Sequence, residues 1–394
     1  MSNNLTGESD VWFDSETADI KQFSKLCEDS TSKDSVPLAS DIVNQIPVYD
    51  GGVVRQIAAG HPQAMRDLQQ EWIQVLLSGA GAVLIKNAVN DLVLLDEVTE
   101  AFYQIIRQEA VSDSGADHFA PAGSNTRIWN AHEKLCVGFP ELFARYNAND
   151  VMASMCRAWL GPGYQITAQA NIVHPGGRAQ HCHRDYHMGF QTMDNLVQYP
   201  AHIHALSPVM TLQGAIAHSD MPLASGPTKL LPFSQRYLPG YLACGRKEFV
   251  DYFESNYTQS ALEKGDMLFF NPALMHAAGD NITADVERFA NLVQVGSVYG
   301  RTMELLDRTR MSIAVYPMLL SMSGKDDWSE RSTRQVVEAS AEAYAFPANM
   351  ELEPPSNGLA PASQQQLMMD SLRLGDSVEV FADKAMAQQG LKRS

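Results

Sequence analysis

The sequence predicts a mainly β fold with flanking helices. Helical periodicity is concentrated towards the two ends of the chain, while strand-like runs separated by turn residues fill the stretch from 179 to 300. Those runs follow one another instead of alternating with helices, which favours a sandwich or barrel over a parallel sheet built of β-α units.

Taken in order, residues 1–45 read as a flexible acidic tail. Asn3, Asn4, Ser9, Asp10, Ser15 and Glu16, then Ser30, Thr31, Ser32, Asp34 and Ser35, leave little apolar surface to offset the loss of chain entropy on ordering. After Pro62, the residues Met65, Leu68, Trp72, Val75 and Leu76 recur at helical spacing until Gly79 and Gly81 stop them. Ala82 to Ile85 reads as a short strand, and Leu94, Val98, Phe102 and Ile105 mark a second helix. A third helix over 149–160 ends at Gly161-Pro162-Gly163, and a strand from Gln165 to Val173 runs into Pro175-Gly176-Gly177. Further strand runs are expected at 179–187, 208–217, 227–232, 266–270 and 287–298. Residues 302–345 return to helical character, and the last forty, from Glu353-Pro354-Pro355-Ser356, read as a loop and a peripheral helix. The expected organisation is a tail over 1–45, one main domain over 46–345 and a C-terminal extension over 346–394, without internal repeats.

With 394 residues, 45% of them hydrophobic, the chain can bury a substantial core. Lysine and arginine number 29 against 46 acidic residues, a formal charge of −17, which argues against nucleic acid and anionic membranes as partners. The five cysteines are scattered with no Cys-X-X-Cys pair, as suits a reducing cytoplasm. No basic segment precedes an apolar run at the N-terminus, and no stretch approaches the ~18 apolar residues of a membrane span.

The chemistry is concentrated in His181-Cys182-His183-Arg184-Asp185-Tyr186-His187. On a strand, alternate side chains share a face, so His181, His183 and Asp185 are expected to point one way. His183 and Asp185 then offer two adjacent metal ligands. A second histidine from a distant strand would complete the two-histidine, one-carboxylate triad that leaves open positions on non-heme iron(II). The candidate is His276, at the end of Gly265-Asp266-Met267-Leu268-Phe269-Phe270-Asn271-Pro272-Ala273-Leu274-Met275-His276. Arg288 lies on the next strand run, on one face with Ala290 and Leu292. A core-side cation there needs an anion, and a dicarboxylate gripped by the guanidinium fork can supply it.

His183-Arg184-Asp185, then Ser225-Gly226-Pro227-Thr228-Lys229-Leu230-Leu231-Pro232-Phe233-Ser234-Gln235, then His276 with Gly279, Asn281 and Arg288, resembles the phytanoyl-CoA dioxygenase family over residues 62–300. The resemblance implies a double-stranded β-helix (jelly-roll, cupin-like) core, with the dioxygenase occupying 46–345. It implies iron(II) on His183, Asp185 and His276, and the distal carboxylate of 2-oxoglutarate on Arg288. By the same analogy Gln169, Asn171 and Gln213, polar residues in apolar strands, contact the co-substrate. Dioxygen and a small organic metabolite would be the other reactants, with hydroxylation or desaturation releasing succinate and carbon dioxide. Two departures stand out. Phe-Ser-Gln replaces the usual Gly-Ser-His after Pro232, and Ala278 occupies a position where a hydroxyl often helps hold the co-substrate.

Plainer readings compete. His183 and Asp185 can form a hydrogen-bonded surface pair, His276 can be a core histidine, and Arg288 an ion-pair partner of Asp266 or Glu263. His181 and His187 are second-shell or pocket candidates, His202-Ile203-His204 reads as a lid or surface feature, and Trp129 as a loop anchor. The loops 110–135 and 187–208 are the expected specificity elements. A cupin-type metalloenzyme using His181 and His183 without 2-oxoglutarate, and a catalytically silent binding protein, are the rival functions.

Overall fold

A computed structural model describes residues 11–14, 16–112 and 124–392. Its strands are β1 (Asp41–Val43), β2 (Ile46–Asp50), β3 (Ala82–Lys86), β4 (Asn125–Ile128), β5 (Gln165–Val173), β6 (Thr211–Ala217), β7 (Lys229–Leu230), β8 (Met267–Phe270), β9 (His276–Ala277) and β10 (Arg288–Gly296). Eight form one mixed sheet in the order β1-β2-β3-β8-β6-β10-β5-β4, and only the β2–β3 pair is parallel. The narrow β7–β9 pair is widened by single bridges from His276 to His183 and from Leu230 to Thr258.

Residues two apart on a strand share a face, and here the two faces have different uses. On β10, Phe289, Val293 and Val295 join Ile166, Ala168, Ala170 and Ile172 of β5 in the large core beneath the helices. On the other face, Arg288, Ala290, Leu292 and Gln294 line a cleft together with residues of the β7–β9 layer. Helices at both ends of the chain, among them Pro62–Leu77, Leu92–Ser112, Asp150–Leu160 and Arg308–Met322, supply the residues that pack on the first face.

Several expectations are corrected. The fold is not mainly β: fifteen α-helices accompany the ten strands among the described residues. Helical segments cover a whole sheet face, and others (Met193–Leu196, Ala201–Val209, Lys247–Asn256) interrupt the strand series. Residues 179–187 form no regular strand. The chain bridges at His183 and then turns through Tyr186 and His187, whose φ angles are 62° and 22°. The part of the expected tail at 1–10 and 15 lies outside the described residues, but the rest is built into the fold. Asp19 caps the helix Ile20–Cys27, and Phe23 is fully buried against Tyr237, Phe249 and Tyr252. One aromatic anchor does there what average composition cannot reveal. The extension likewise holds two helices, Gln364–Leu374 and Val378–Leu391, and is not peripheral. Phe381 is fully buried and stacks on Tyr316 at 4.1 Å. No helix among the described residues is long and apolar enough to cross a membrane.

Two buried histidines tie helices to the sheet. His218 bonds Thr99 Oγ1 at 2.8 Å and the Tyr146 hydroxyl at 2.9 Å, while His132 donates to the Ala339 carbonyl at 2.8 Å. Burial first, then Lys264 for His218 and Arg308 for His132, holds both at about 3. Both therefore stay neutral in the folded protein, whereas the unfolded chain takes up protons below about 6.5. Their contribution is complete above that pH and is lost as pH falls from about 6.5 towards 3, at up to about 1.4 kcal/mol per pH unit for each. Glu304, raised to about 7 chiefly by burial, acts with the opposite sign. Urea unfolding at pH 7, 6 and 5 should show a stability slope that His218→Gln flattens; an identical slope in the variant would refute the assignment.

Candidate metal centre

His183, Asp185 and His276 come together, with one ligand atom from each lying within 4.8 Å of the others. Reciprocal backbone bonds hold the two histidine segments in register, His183 N–H to His276 O at 2.9 Å and His276 N–H to His183 O at 3.1 Å. Asp185 is secured by its own N–H, which donates to Pro272 O at 2.9 Å. Each imidazole gives its Nδ1–H to a carbonyl two residues earlier: His183 to His181 O and His276 to Leu274 O, both at 2.8 Å. A carbonyl only accepts, so Nδ1 carries the proton and Nε2 keeps its lone pair. Those Nε2 atoms lie 3.6 Å and 3.3 Å from the Asp185 carboxylate oxygens.

Two imidazole Nε2 lone pairs and a carboxylate thus converge beside the Gln213 amide, and a divalent cation fits that donor set. Burial would push the Asp185 carboxyl up, but His276, His183 and Gln213 outweigh it and hold it at about 2. Burial, reinforced by His276, keeps His183 below its ordinary value, so both stand in their ligating forms at neutral pH.

The other sequence candidates line the same cleft, whose volume is about 350 Å³. The Gln213 side-chain N–H₂ donates to Asp185, and its Oε1 is buried without a partner. Asn171 presents an unpartnered buried Oδ1. Gln169 accepts from Arg127 Nη1 at 2.8 Å and donates to Gln294 Oε1 at 3.4 Å. Arg288 is 7% exposed. Its Nη1 donates to Ser225 O at 2.8 Å and Gly279 O at 3.3 Å, and among the described residues no carboxylate lies within 4 Å of it. Asp266 is instead paired with Lys86 at 2.6 Å. Burial alone lowers the Arg288 guanidinium to about 10.

His181 and His187 are exposed and stand outside the cluster, so the face expected to carry His181 with His183 and Asp185 holds only the latter two at the centre. His202 and His204 belong to the helix Ala201–Val209, where His204 is buried and bonded to Leu196 O at 3.1 Å. Trp129 lies beside the Arg127 guanidinium, 5.3 Å away. Of the expected specificity loops, 187–208 brings Gly189 and Phe190 to the cleft, and the part at 113–123 lies outside the described residues.

Sequence reasoning missed Arg127, Thr228 and Gln294 as cleft residues. Gln294 was legible, since it follows Arg288, Ala290 and Leu292 in the same period-two alternation. Arg127 sits in a segment whose strand character is too short to read from pattern, and Thr228, although inside the strand run expected at 227–232, carries no signal that marks it as facing a cleft.

Removing one donor should collapse the site. His276→Ala is expected to weaken Co(II) binding to the metal-free protein by at least ~100-fold, beyond the 10- to 100-fold typical of a lost outer-shell partner. Anaerobic titration of the visible Co(II) bands measures this, and undiminished affinity would place the ion elsewhere.

No curated protein matches the sequence at a significant level. Among solved structures, the α-ketoglutarate-dependent epimerase SnoN of nogalamycin biosynthesis is 16% identical, with 60% of this chain and 84% of that chain covered and a TM-score of 0.40. The carbocyclase SnoK of the same biosynthesis is 17% identical, with 61% and 88% covered and a TM-score of 0.40. HygX from Streptomyces hygroscopicus, with nickel and 2-oxoglutarate bound, is 16% identical, with 58% and 87% covered and a TM-score of 0.38. Likenesses this distant say nothing about the reaction. The phytanoyl-CoA dioxygenase (PhyH) family profile, in contrast, matches residues 77–290, more than half of the chain, a span that includes all three candidate ligands and Arg288. The chain belongs to the phytanoyl-CoA dioxygenase family of iron(II)- and 2-oxoglutarate-dependent oxygenases.

Proposed function

We propose that this protein hydroxylates, or desaturates, a small organic metabolite, using iron(II) on His183, Asp185 and His276 and 2-oxoglutarate anchored by Arg288. The observation that carries this reading is Arg288, a buried guanidinium that opens on the same cleft as the triad and is bonded only to carbonyls. A dicarboxylate supplies the missing negative charge and matches the guanidinium fork. The wide sheet and the narrow layer through His183, His276, Leu230 and Thr258 support a double-stranded β-helix core.

Iron(II) with 2-oxoglutarate and dioxygen supplies the oxidising power for a substrate C–H bond, with succinate and carbon dioxide as by-products. The protein's own groups orient and shield. Gln213 restrains the Asp185 carboxylate, and the two Nδ1 bonds keep both imidazoles turned inward. Asn171, with its free Oδ1, and Gln169 border the cleft where the co-substrate would lie. Asp185 fills the third protein position, which leaves no place for a halide and favours hydroxylation or desaturation. Ala278 brings no hydroxyl, but Thr228 lines the same cleft next to Lys229, whose β-partner is Ala277. Thr228 offers from the neighbouring strand the hydroxyl absent at 278.

The cleft's volume, shared with the co-substrate, and the charge of −17 favour a small metabolite over a CoA ester. His181, exposed and apart from the cluster, gives the cupin alternative no support.

Anaerobic addition of 2-oxoglutarate to the iron(II) protein should produce the weak visible band of the chelated co-substrate. Arg288→Met is expected to raise the 2-oxoglutarate concentration required by roughly 10- to 100-fold, the equivalent of one charge-assisted hydrogen-bonded contact. Thr228→Val should raise it about 5-fold, as for a neutral hydrogen bond. Metal binding without any band in the wild type would rule out 2-oxoglutarate as co-substrate, and an unchanged requirement in Thr228→Val would discard the hydroxyl's role.

A further inference from the structure

We infer that Arg184, the residue between the ligands His183 and Asp185, is a positioning residue that ties their segment to the one bearing His276. The inference rests on the reading of the triad as a metal centre. The Arg184 side chain is 2% exposed and runs to residues 234–241. Its Nη2 donates to Ser234 O at 2.5 Å, and its guanidinium lies over the Tyr241 ring at 5.3 Å. Among the described residues no carboxylate lies within 4 Å of it. A buried cation held this way costs several kcal/mol, and apolar replacements of buried charges are often neutral or stabilising, so stability alone does not account for it.

Two glycines make room for this residue. A Cβ on Gly240 would fall 1.9 Å from the guanidinium carbon, and one on Gly189 would fall 1.9 Å from the Arg184 carbonyl oxygen. Neither glycine has a positive φ, so the requirement is for space and not for backbone freedom.

Ser234 completes the tie. Its fully buried hydroxyl accepts the Met275 N–H at 2.8 Å and donates to Leu231 O at 2.7 Å, while Leu231 N–H donates to Met275 O at 2.9 Å. Met275 immediately precedes His276. The residue flanked by two ligands and the residue before the third therefore meet on one serine, Arg184 through its carbonyl and Met275 through its hydroxyl. Tyr241, beneath the guanidinium, adds a long bond from its hydroxyl to Asp185 O at 3.5 Å. This framework sets the separation of the Asp185 carboxylate from the His276 Nε2, on which the coordination geometry depends.

The test is a double-mutant cycle on the full chain, with Arg184→Met, Gly240→Ala and the two combined. Co(II) affinity and the visible Co(II) spectrum are read together with urea unfolding of the metal-free proteins. Each single variant should bind Co(II) about 10-fold more weakly, with displaced bands. The double variant should be no worse than Arg184→Met, because no guanidinium remains for the added methyl to displace. Additive losses, or wild-type affinity and spectrum in either folded single variant, overturn the inference. If Arg184→Met fails to fold, Gly240→Ala and Ser234→Ala decide it: displaced bands in both support the tie, and unchanged bands in either refute it. A wild type that binds no Co(II) overturns the metal-centre reading itself; a wild type that binds normally beside unchanged variants overturns only the role of Arg184.

Discussion

Everything at the site depends on two imidazole protons being committed to backbone carbonyls. With Nδ1–H of His183 and of His276 each donated two residues back, both Nε2 lone pairs are turned upon a carboxylate that is itself an acceptor. Reciprocal backbone bonds between the two histidine segments hold that convergence, whose donor set suits a divalent cation. Pro272 O accepts the Asp185 N–H and the 183–276 bridge belongs to the narrow layer, so both histidine ligand candidates and the carboxylate are fixed by main-chain bonds outside the wide sheet.

The wide sheet contributes a graded surface. Along β10 the cleft face passes from Arg288 through Ala290 and Leu292 to Gln294, and Gln294 stands opposite Gln213, which bonds Asp185. The charged end and the metal end are thus separated by two apolar residues on one strand, and the helices behind that strand keep its pleat rigid. Sites placed on strands hold their geometry better than sites on loops. The period-two alternation that makes one face core and the other cleft is therefore also what spaces Arg288 from the triad.

That His183, Asp185, His276 and Arg288 belong to one site was legible because each carries a chemical signature that survives without a structure: a donor pair at strand spacing, a second histidine closing an apolar run, a cation in an apolar strand. The helical residues Met65, Leu68, Trp72, Val75 and Leu76 were legible for a comparable reason, since period and stop signals coincide in the helix Pro62–Leu77. The failures are of another kind. Phe23 sits in a segment of polar surroundings and Phe381 in a C-terminal helix whose docking no pattern announces, yet each is fully buried against aromatic rings or the main core, and one large side chain is enough to dock a short helix. The overestimate of β content has a different origin: the helices at 193–196 and 201–209 are short or weakly periodic, while that at 247–256, with Phe249 and Phe253 one turn apart, lies between strand runs in a stretch read as β throughout. The strand alternation placed His183 and Asp185 together as expected but did not carry to His181, which stands exposed outside the cluster.

Buried arginines illustrate how far composition falls short of function. Arg308 donates to Ala339 O at 2.8 Å and Ile166 O at 2.6 Å, Arg184 to Ser234 O, and Arg288 to Ser225 O and Gly279 O. All three are buried, and among the described residues none has a carboxylate within 4 Å, so a lone guanidinium solvated by carbonyls is a recurrent structural device in this acidic chain and not by itself a ligand signal. What separates Arg288 is its surroundings. It shares the cleft with the triad and with Asn171, whose Oδ1 is unpartnered among the described residues, whereas Arg308 bonds the carbonyls that join a helix to β5, and Arg184, although it borders the cleft, has its guanidinium packed against Gly240 and Tyr241. The same interaction therefore recurs in three different surroundings, and it is the surroundings of each guanidinium, not its bonds to carbonyls, that set Arg288 apart.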